Sequence, residues 1–277
     1  MTLSARNNFF RGGIIFAAVS IIIAASGGYF AFSFLSETAG AAGLRSQGIM
    51  QLVTAKLAGP SAYVPYWTLL GTVAFSLISI ILIYYFFENT QSPEILFFGL
   101  FIISLSFEFI RILLPLRAVF PFPAMYLITA YRVLFFGRHF GLFSLFAAGV
   151  HAAGMDIQKQ QNVFLMLVLA SLYISLNVPI DILVWDSTFV LWNGYNSMLR
   201  IAETGIMIIT IVTFFISAYT RSSKNYKTIG IGTLLALAGR NILFNSDIWI
   251  TPALGFFLLV TGTWFVCTRL HREYLWL

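Results

Sequence analysis

The sequence predicts an all-α fold, a polytopic transmembrane helical bundle of about eight spans in which an N-terminal anchor precedes a seven-helix core. Of its 277 residues, 59% are hydrophobic and 9% are charged, whereas a soluble domain is about 25% charged. A helix needs roughly 20 apolar residues to cross a bilayer, and apolar windows of that kind recur along nearly the whole chain. These runs are continuous and do not alternate every second residue, which favours helices.

Each predicted span is bounded where an apolar run meets polar or charged residues. The spans run from Gly13 to Leu35, Trp67 to Phe87, Ile95 to Leu114, Phe122 to Val150, Val163 to Val184, Met198 to Tyr219, Thr228 to Phe244 and Ile250 to Thr268. The chain therefore divides into a cytoplasmic stub with the anchor helix (1–35), an external segment (36–66), the seven-helix core (67–269) and a short cytoplasmic tail (270–277).

The first span is expected to be an uncleaved signal anchor. It follows Arg6 and Arg11 and precedes Ala39-Gly40-Ala41, a pattern that resembles a signal peptide with its cleavage site. Its apolar run, however, exceeds the roughly 7–15 residues of a signal-peptide core.

The external segment is expected to contain a short amphipathic helix. Apolar residues at helical spacing (Ile49, Leu52, Val53 and Leu57) lie opposite polar ones (Arg45, Gln47, Gln51 and Lys56). Such a helix lies on the membrane interface or caps the bundle. Two interpretations stay open, a ligand or partner site and a surface-lying linker.

The fourth span is long for one crossing and contains Arg132, Arg138 and His139. We expect either one tilted or kinked helix or two shorter pieces that break near Gly137 and Gly141. An odd number of spans would place the two termini on opposite sides and spoil the charge pattern described next, which favours eight.

Basic residues near span ends predict the orientation, because cytoplasmic loops carry an excess of Lys and Arg. They are Arg6 and Arg11 before the first span, Arg221, Lys224 and Lys227 between the sixth and seventh, and Arg269 and Arg272 after the last. An even number of spans puts all three groups on one side. We therefore expect a multi-pass protein of the bacterial inner membrane with both termini cytoplasmic. Arg117 falls on the other side.

Several ionisable residues fall at membrane depth, where such groups pair or line a wet cavity. The predicted outer-leaflet cluster consists of Glu108, Arg111, Arg132, Asp181, Glu203 and Arg240. Glu108 and Arg111 have the i,i+3 spacing that puts both on one helix face. Two interpretations stay open, a ligand pocket that opens outward and a set of buried salt bridges that fix helix register.

Signatures of catalysis or cofactor binding are missing from the sequence, so we predict no enzyme, no cofactor and no metal site. His139 and His151 lie twelve positions apart, about 120° around a helix, and do not share a face. The motifs HExxH, CxxC and GxSxG do not occur, and the seventh span holds no lysine for a retinal Schiff base. The net charge of +6 fits the basic cytoplasmic loops, and nucleic-acid binding is not expected.

From Tyr84 to Phe101 the chain reads YYFFENTQSPEILFFGLF, a short polar turn followed by an aromatic-rich helix. With its layout over about residues 66–270, this segment resembles the bacterial seven-transmembrane receptors with diverse intracellular signalling modules. Members usually carry a folded extracellular sensor domain and a cytoplasmic output domain. Here only residues 36–66 stand in the place of the sensor, and since the sequence runs only to Leu277 after Arg269, we expect no output domain.

The resemblance implies a receptor-like or scaffold subunit that lacks its own output domain and acts through a partner protein. Expected partners are membrane lipid and another protein subunit or a second copy of the chain. The predicted docking residues are Arg221, Lys224, Lys227, Arg269, Arg272 and Trp276. The alternative is a transporter or channel subunit whose charged residues line a pathway through the membrane.

Overall fold

The structure, a computed structural model, describes residues 3–39, 63–90, 92–117, 119–180 and 185–274. Within these residues the chain forms eight long helices, which confirms the predicted all-α bundle. They are α1 (Leu3–Ala39), α2 (Tyr63–Phe87), α3 (Pro93–Leu116), α4 (Ala124–Ala152), α5 (Gln160–Asn177), α6 (Asn196–Thr220), α7 (Lys224–Phe244) and α8 (Ile250–Tyr274). Three consecutive pieces form α3: α-helical Pro93–Ser104, the 3₁₀ segment Leu105–Ile112, and α-helical Leu113–Leu116.

Six of the eight described helices, all except α5 and α7, are long and apolar enough to cross a membrane. The chain is therefore a multi-pass membrane protein. Helix α5 has 18 residues and begins with the polar run Gln160-Gln161-Asn162. Helix α7 carries Lys224, Lys227 and Arg240. Polar and charged residues thus separate these two helices in composition from the other six.

The fourth predicted span is one continuous helix, α4. Gly137 and Gly141 do not break it; they allow it to pack closely on α3. A Cβ built on Gly137 would lie 2.5 Å from Phe107 Cβ, and one on Gly141 would collide with Ser104 Oγ. The small residues therefore serve helix contact.

The predicted fifth span extends too far, because α5 ends at Asn177 and not at Val184. Val178 has φ −66° and ψ 120°, the extended conformation that a following proline, here Pro179, imposes. Further along, the loop of residues 185–191 turns back on itself: Trp185 pairs with Leu191 in an antiparallel bridge. The amphipathic helix expected between Arg45 and Leu57 lies outside the described residues.

Helix α3 is the centre of the bundle. In the most apolar 18-residue window of each helix, 83% of the window is buried in α3, against 22% in α6 and 28% in α8. Helix α3 packs against α1, α2 and α4. The other helix pairs in contact are α1–α2, α4–α5, α4–α6, α6–α7, α7–α8, α2–α7 and α2–α8. Large apolar side chains on the outer helices face outward, for example Ile15, Tyr85, Ile201, Phe257 and Trp264. This outer surface suits lipid as its solvent.

Helices α7 and α8 form the most extensive helix pair, and glycines make their close approach possible. Gly232 faces Gly262, and Gly239 faces Gly255, so each helix presents two glycines seven positions apart. A Cβ on Gly239 would lie 2.6 Å from the Leu259 backbone nitrogen. Small residues of this kind let membrane helices pack backbone to backbone.

The basic residues predicted to share one side do share one end of the bundle. Arg6 Nη2 donates to the carbonyl oxygens of Phe87 and Glu88, both at 2.7 Å, which ties the start of α1 to the end of α2. Arg221 Nη2 donates to the His151 carbonyl oxygen at 3.4 Å. Tyr274, at the end of α8, donates to Glu94 at the start of α3. We name this end the basic end and the opposite end, which holds the loop of residues 185–191, the pocket end.

Candidate ligand pocket

A cluster of buried charges lies where α3 meets α4. The Glu108 carboxylate accepts two hydrogen bonds from Arg138, Nε to Oε1 at 2.7 Å and Nη2 to Oε2 at 2.8 Å, and one from Arg111 Nη1 at 3.3 Å. The side chains of Glu108 and Arg111 are 1% exposed and that of Arg138 is 12% exposed. We name these three residues the buried ion cluster.

The 3₁₀ segment of α3 sets the geometry of this cluster. In a 3₁₀ helix the side chains at i and i+3 eclipse one another, so Glu108 and Arg111 lie directly in line. Just before the segment, the Ile102 carbonyl oxygen accepts a hydrogen bond from Ser76 Oγ of α2 at 2.6 Å. Ser106 Oγ in turn donates to Ser76 Oγ at 2.8 Å. Helix α2 thus supports the segment that carries both charges.

Arg111 and Tyr131 hold the loop of residues 185–191 against the bundle. Arg111 Nε donates to the Thr188 carbonyl oxygen at 2.9 Å, and its Nη2 donates to the same atom. The Tyr131 hydroxyl donates to the Phe189 carbonyl oxygen. Phe189 has φ 58°, a left-handed conformation uncommon outside glycine. Two buried side chains therefore fix the tip of a sharply turned loop.

Beside this loop lies a polar pocket of about 390 Å³. Its walls come from α4, α6, α7 and the segment between α5 and α6. The lining residues are Phe135, Arg138, Asp186, Thr188, Val190, Leu191, Trp192, Asn193, Asn196, Leu199, Arg200, Glu203, Thr204, Met207, Arg240, Asn241, Phe244 and Asn245. Volumes of about 300–1,000 Å³ are typical of small-molecule sites. We name this cavity the polar pocket.

Arg240 is the most deeply buried charge of the polar pocket, with 2% of the residue exposed. Its Nη2 donates to the Arg138 carbonyl oxygen at 2.8 Å, and its guanidinium carbon lies 4.6 Å from the centre of the Phe244 ring. Its Nε has no hydrogen-bond partner among the described residues. Leaving a buried donor unpaired costs about 1–3 kcal/mol or more when it is charged, so this position suits a ligand.

Asn193 offers a second unpaired group in the same cavity. The residue is 7% exposed, and its Oδ1 makes no hydrogen bond within the described part of the chain. Native proteins satisfy most buried polar atoms. Arg240 and Asn193 both line the cavity, and each has one buried polar atom without a hydrogen-bond partner among the described residues.

Glu203 supplies the carboxylate on the α6 side of the pocket. Its Oε1 lies 3.7 Å from His139 Nε2, and its side chain is 27% exposed. His139 Nδ1 lies 2.9 Å from the Phe135 carbonyl oxygen, so the backbone fixes the ring. Glu203 thus lies in the pocket between α4 and α7. Among the described ion pairs, it makes no direct contact of 4.0 Å or less with Arg240.

The structure brings together four residues of the predicted cluster: Glu108 and Arg111 in the ion cluster, and Glu203 and Arg240 in the pocket. Arg132 does not join them. It lies six residues before Arg138, roughly 120° away around α4, and forms no ion pair within the described residues. Asp181, the sixth predicted member, lies outside the described residues.

Sequence reasoning missed Arg138, which links the ion cluster to the pocket. The signal was available in its spacing: Tyr131, Phe135 and Arg138 follow the i, i+4, i+7 pattern of one helix face. All three contact either the ion cluster, the pocket or the loop of residues 185–191. Asn193 carries no such pattern, because it lies in a loop.

At the basic end, Glu94 is the centre of a second buried network that the sequence did not indicate. The residue is 2% exposed and accepts hydrogen bonds from the Tyr226 hydroxyl at 3.0 Å and from the Tyr274 hydroxyl. Arg221 donates to the Tyr226 hydroxyl at 2.8 Å and lies 3.8 Å from Glu94 Oε1. The network joins α3, α7 and α8.

The predicted docking residues differ in their exposure and in their contacts with the rest of the bundle. Arg221 contributes to the Glu94 network with its side chain 42% exposed, and Arg269 donates to Asn225 Oδ1 at 3.4 Å. Lys224, Lys227 and Arg272 are exposed. Trp276 lies outside the described residues.

Among the described residues no group of three or more His, Cys, Asp or Glu side chains is placed to hold a metal ion. Comparison of the chain with protein-family models, with curated proteins and with solved structures gives no significant match.

Proposed function

We propose that the chain is a receptor-like subunit of a bacterial inner membrane that binds a small polar ligand in the polar pocket and acts through a partner protein. The observation that carries the proposal is the cavity with Arg240, a buried arginine whose Nε is unpaired among the described residues. Salt bridges that only fixed helix register would need neither a cavity nor an unpaired group. The resemblance to seven-transmembrane receptors supports the same proposal.

Charge supports an orientation with the basic end in the cytoplasm. The exposed cations Lys224, Lys227 and Arg272 lie at that end, as the excess of basic residues in cytoplasmic loops requires. The polar pocket lies at the opposite end and would then open toward the periplasm. A ligand would enter from outside, and a partner would dock on the cations inside.

A transporter or channel subunit is the alternative, and the packing favours it less. Beyond the pocket, in the direction of the basic end, the same helices contribute the buried core residues Phe140 of α4, Phe214 of α6 and Leu237 of α7. Among the described residues these large apolar side chains occupy the space below the pocket, with only the hydroxyls of Ser144, Thr210, Ser217 and Thr233 buried among them on the same helices.

Gentle extraction from native membranes, followed by mass spectrometry of co-purifying proteins, tests the proposal. We expect a stoichiometric partner with a cytoplasmic domain on the wild-type chain, and its loss from a Lys224→Gln, Lys227→Gln double variant. Lys159→Gln is the matched control, since Lys159 is an exposed lysine in the loop region that follows α4. A wild-type chain that is extracted alone contradicts the partner proposal.

A further inference from the structure

We propose that the polar pocket binds a small monocarboxylate, and that the Arg240 guanidinium receives the carboxylate. The inference rests on the proposed function only in taking the pocket as the ligand site. It names the chemical class of the ligand from the charges and unpaired groups that the described residues place there.

Positive charges outnumber negative ones among the described buried groups in and beside the pocket. Three buried guanidinium groups, those of Arg111, Arg138 and Arg240, lie in or beside the pocket. They face two carboxylates, Glu108 and Glu203, which leaves one positive charge uncompensated among the described residues. A buried charge without a partner is strongly unfavourable. An anion reduces this excess of described positive charge, whereas a cation would increase it.

Charges at the rim and the nearby histidine do not alter this balance. Arg200 and Asp186 line the mouth of the pocket with opposite charges, and both are exposed, so solvent screens them. His139 contributes no charge when neutral and adds to the positive excess when protonated. The described side chains therefore favour an anionic over a cationic ligand in either state.

The guanidinium group of Arg240 has the shape to receive a carboxylate. A guanidinium carries its N–H donors in a planar fork that matches the two oxygens of a carboxylate. The Phe244 ring, 4.6 Å from the guanidinium carbon, covers one face of that plane. Nη2 is already engaged by the Arg138 carbonyl oxygen, and Nε is unpaired within the described residues. Since Arg240 lines the pocket, an acceptor bound there would meet the guanidinium donors that the Arg138 carbonyl oxygen does not use.

Asn193 supplies a hydrogen-bond acceptor. Its Oδ1 is unpaired within the described residues and suits a donor group on the ligand. A hydroxyl group on the carboxylate supplies that donor. A volume of about 390 Å³ restricts the ligand to a small molecule. A short hydroxycarboxylate carries both an anionic acceptor for Arg240 and a hydroxyl donor for Asn193, the two residues that line the cavity.

The test uses the purified full chain in lipid nanodiscs and isothermal titration calorimetry. The probes are 3-hydroxybutyrate, its neutral amide 3-hydroxybutyramide, the dianion succinate, and inorganic phosphate. We expect saturable binding of 3-hydroxybutyrate that exceeds binding of every other probe. Arg240→Gln should weaken this binding about ten- to hundredfold, the effect of losing a charge-assisted hydrogen bond.

Glu203→Gln should act in the opposite direction and strengthen 3-hydroxybutyrate binding, because it removes a carboxylate that competes for the same positive charge. A variant that merely damaged the fold would weaken binding, so opposite signs from two pocket residues identify the electrostatic cause. Arg11→Gln, at an exposed arginine of α1 at the basic end, should leave binding unchanged.

Three results overturn the inference. They are binding of the amide as tight as that of 3-hydroxybutyrate, unchanged binding in Arg240→Gln, and absence of binding by all the probes. If the gently extracted wild-type chain nonetheless retains a neutral or cationic molecule, the ligand pocket stands and only the monocarboxylate is wrong. If it retains no small molecule and binds no probe, both the monocarboxylate inference and the proposal of a ligand pocket are wrong.

Discussion

Replacing Gly239 by alanine should separate α7 from α8. The new Cβ would lie 2.6 Å from the Leu259 nitrogen and 2.7 Å from the Gly255 carbonyl oxygen. Both obstacles are backbone atoms, so no side chain can turn aside. The helices must move apart by about 0.8 Å to reach the 3.4 Å at which ordinary van der Waals contact begins. Overpacking of this kind costs about 1–3 kcal/mol.

The matched control is Gly205→Ala in α6, where a Cβ would meet no atom within 4 Å. Both substitutions gain the same helix propensity, about 0.5–1 kcal/mol, so the difference between the variants isolates the collision. We expect Gly239→Ala to unfold more easily than Gly205→Ala by about 1–3 kcal/mol. The assay is equilibrium unfolding in mixed detergent and SDS micelles, followed by fluorescence of the six tryptophans. Equal unfolding free energies would refute the proposed backbone contact.

Three further predictions concern the site and the orientation. Glu108→Gln leaves two buried arginines without their carboxylate and should lower the unfolding free energy by about 3–5 kcal/mol. The control Glu88→Gln, at an exposed carboxylate, should change the unfolding free energy little, and similar effects of the two variants would contradict the buried ion cluster. Tyr131→Phe removes the hydrogen bond to the loop tip and should speed amide hydrogen exchange in residues 185–191, and unchanged exchange would show that the hydroxyl does not hold the loop. Asn196→Cys, combined with Cys267→Ser, should react with a membrane-impermeant maleimide added to intact cells, and labelling only after lysis would reverse the orientation.

Composition and periodicity predicted the helices well, because a bilayer-crossing helix leaves a long apolar run in the sequence. The two places where prediction failed or stayed open depend on local chemistry. The fifth span appeared to reach Val184 because the apolar run continues, yet Pro179 ends the helix by forcing Val178 into an extended conformation. The fourth span looked divisible because Gly137 often signals a break, but here it serves a close helix contact.

The site was predicted in part. Depth along each span placed Glu108, Arg111, Glu203 and Arg240 at one level, and the structure brings them close to one another. Depth carries no information on the direction around a helix, so Arg132 was included and Arg138 was missed. The unpaired Oδ1 of a loop asparagine depends on tertiary packing and leaves no pattern in the sequence.

Glu94 shows the same limit at the basic end. Its partners Tyr226 and Tyr274 lie 132 and 180 residues away along the chain. In the sequence Glu94 follows Ser92 and Pro93 and looks like an acidic residue in the first turn of a helix, where it favours the helix dipole. Only the fold shows that it also joins three helices.

The central claim is that the polar pocket holds a small molecule through Arg240. Native mass spectrometry of the gently extracted chain tests it most directly, with wild type, Arg240→Gln and Arg11→Gln compared under one condition. We predict that wild type and Arg11→Gln retain the same small-molecule adduct and that Arg240→Gln loses it. An adduct retained equally by all three chains, or by none of them, would contradict the claim.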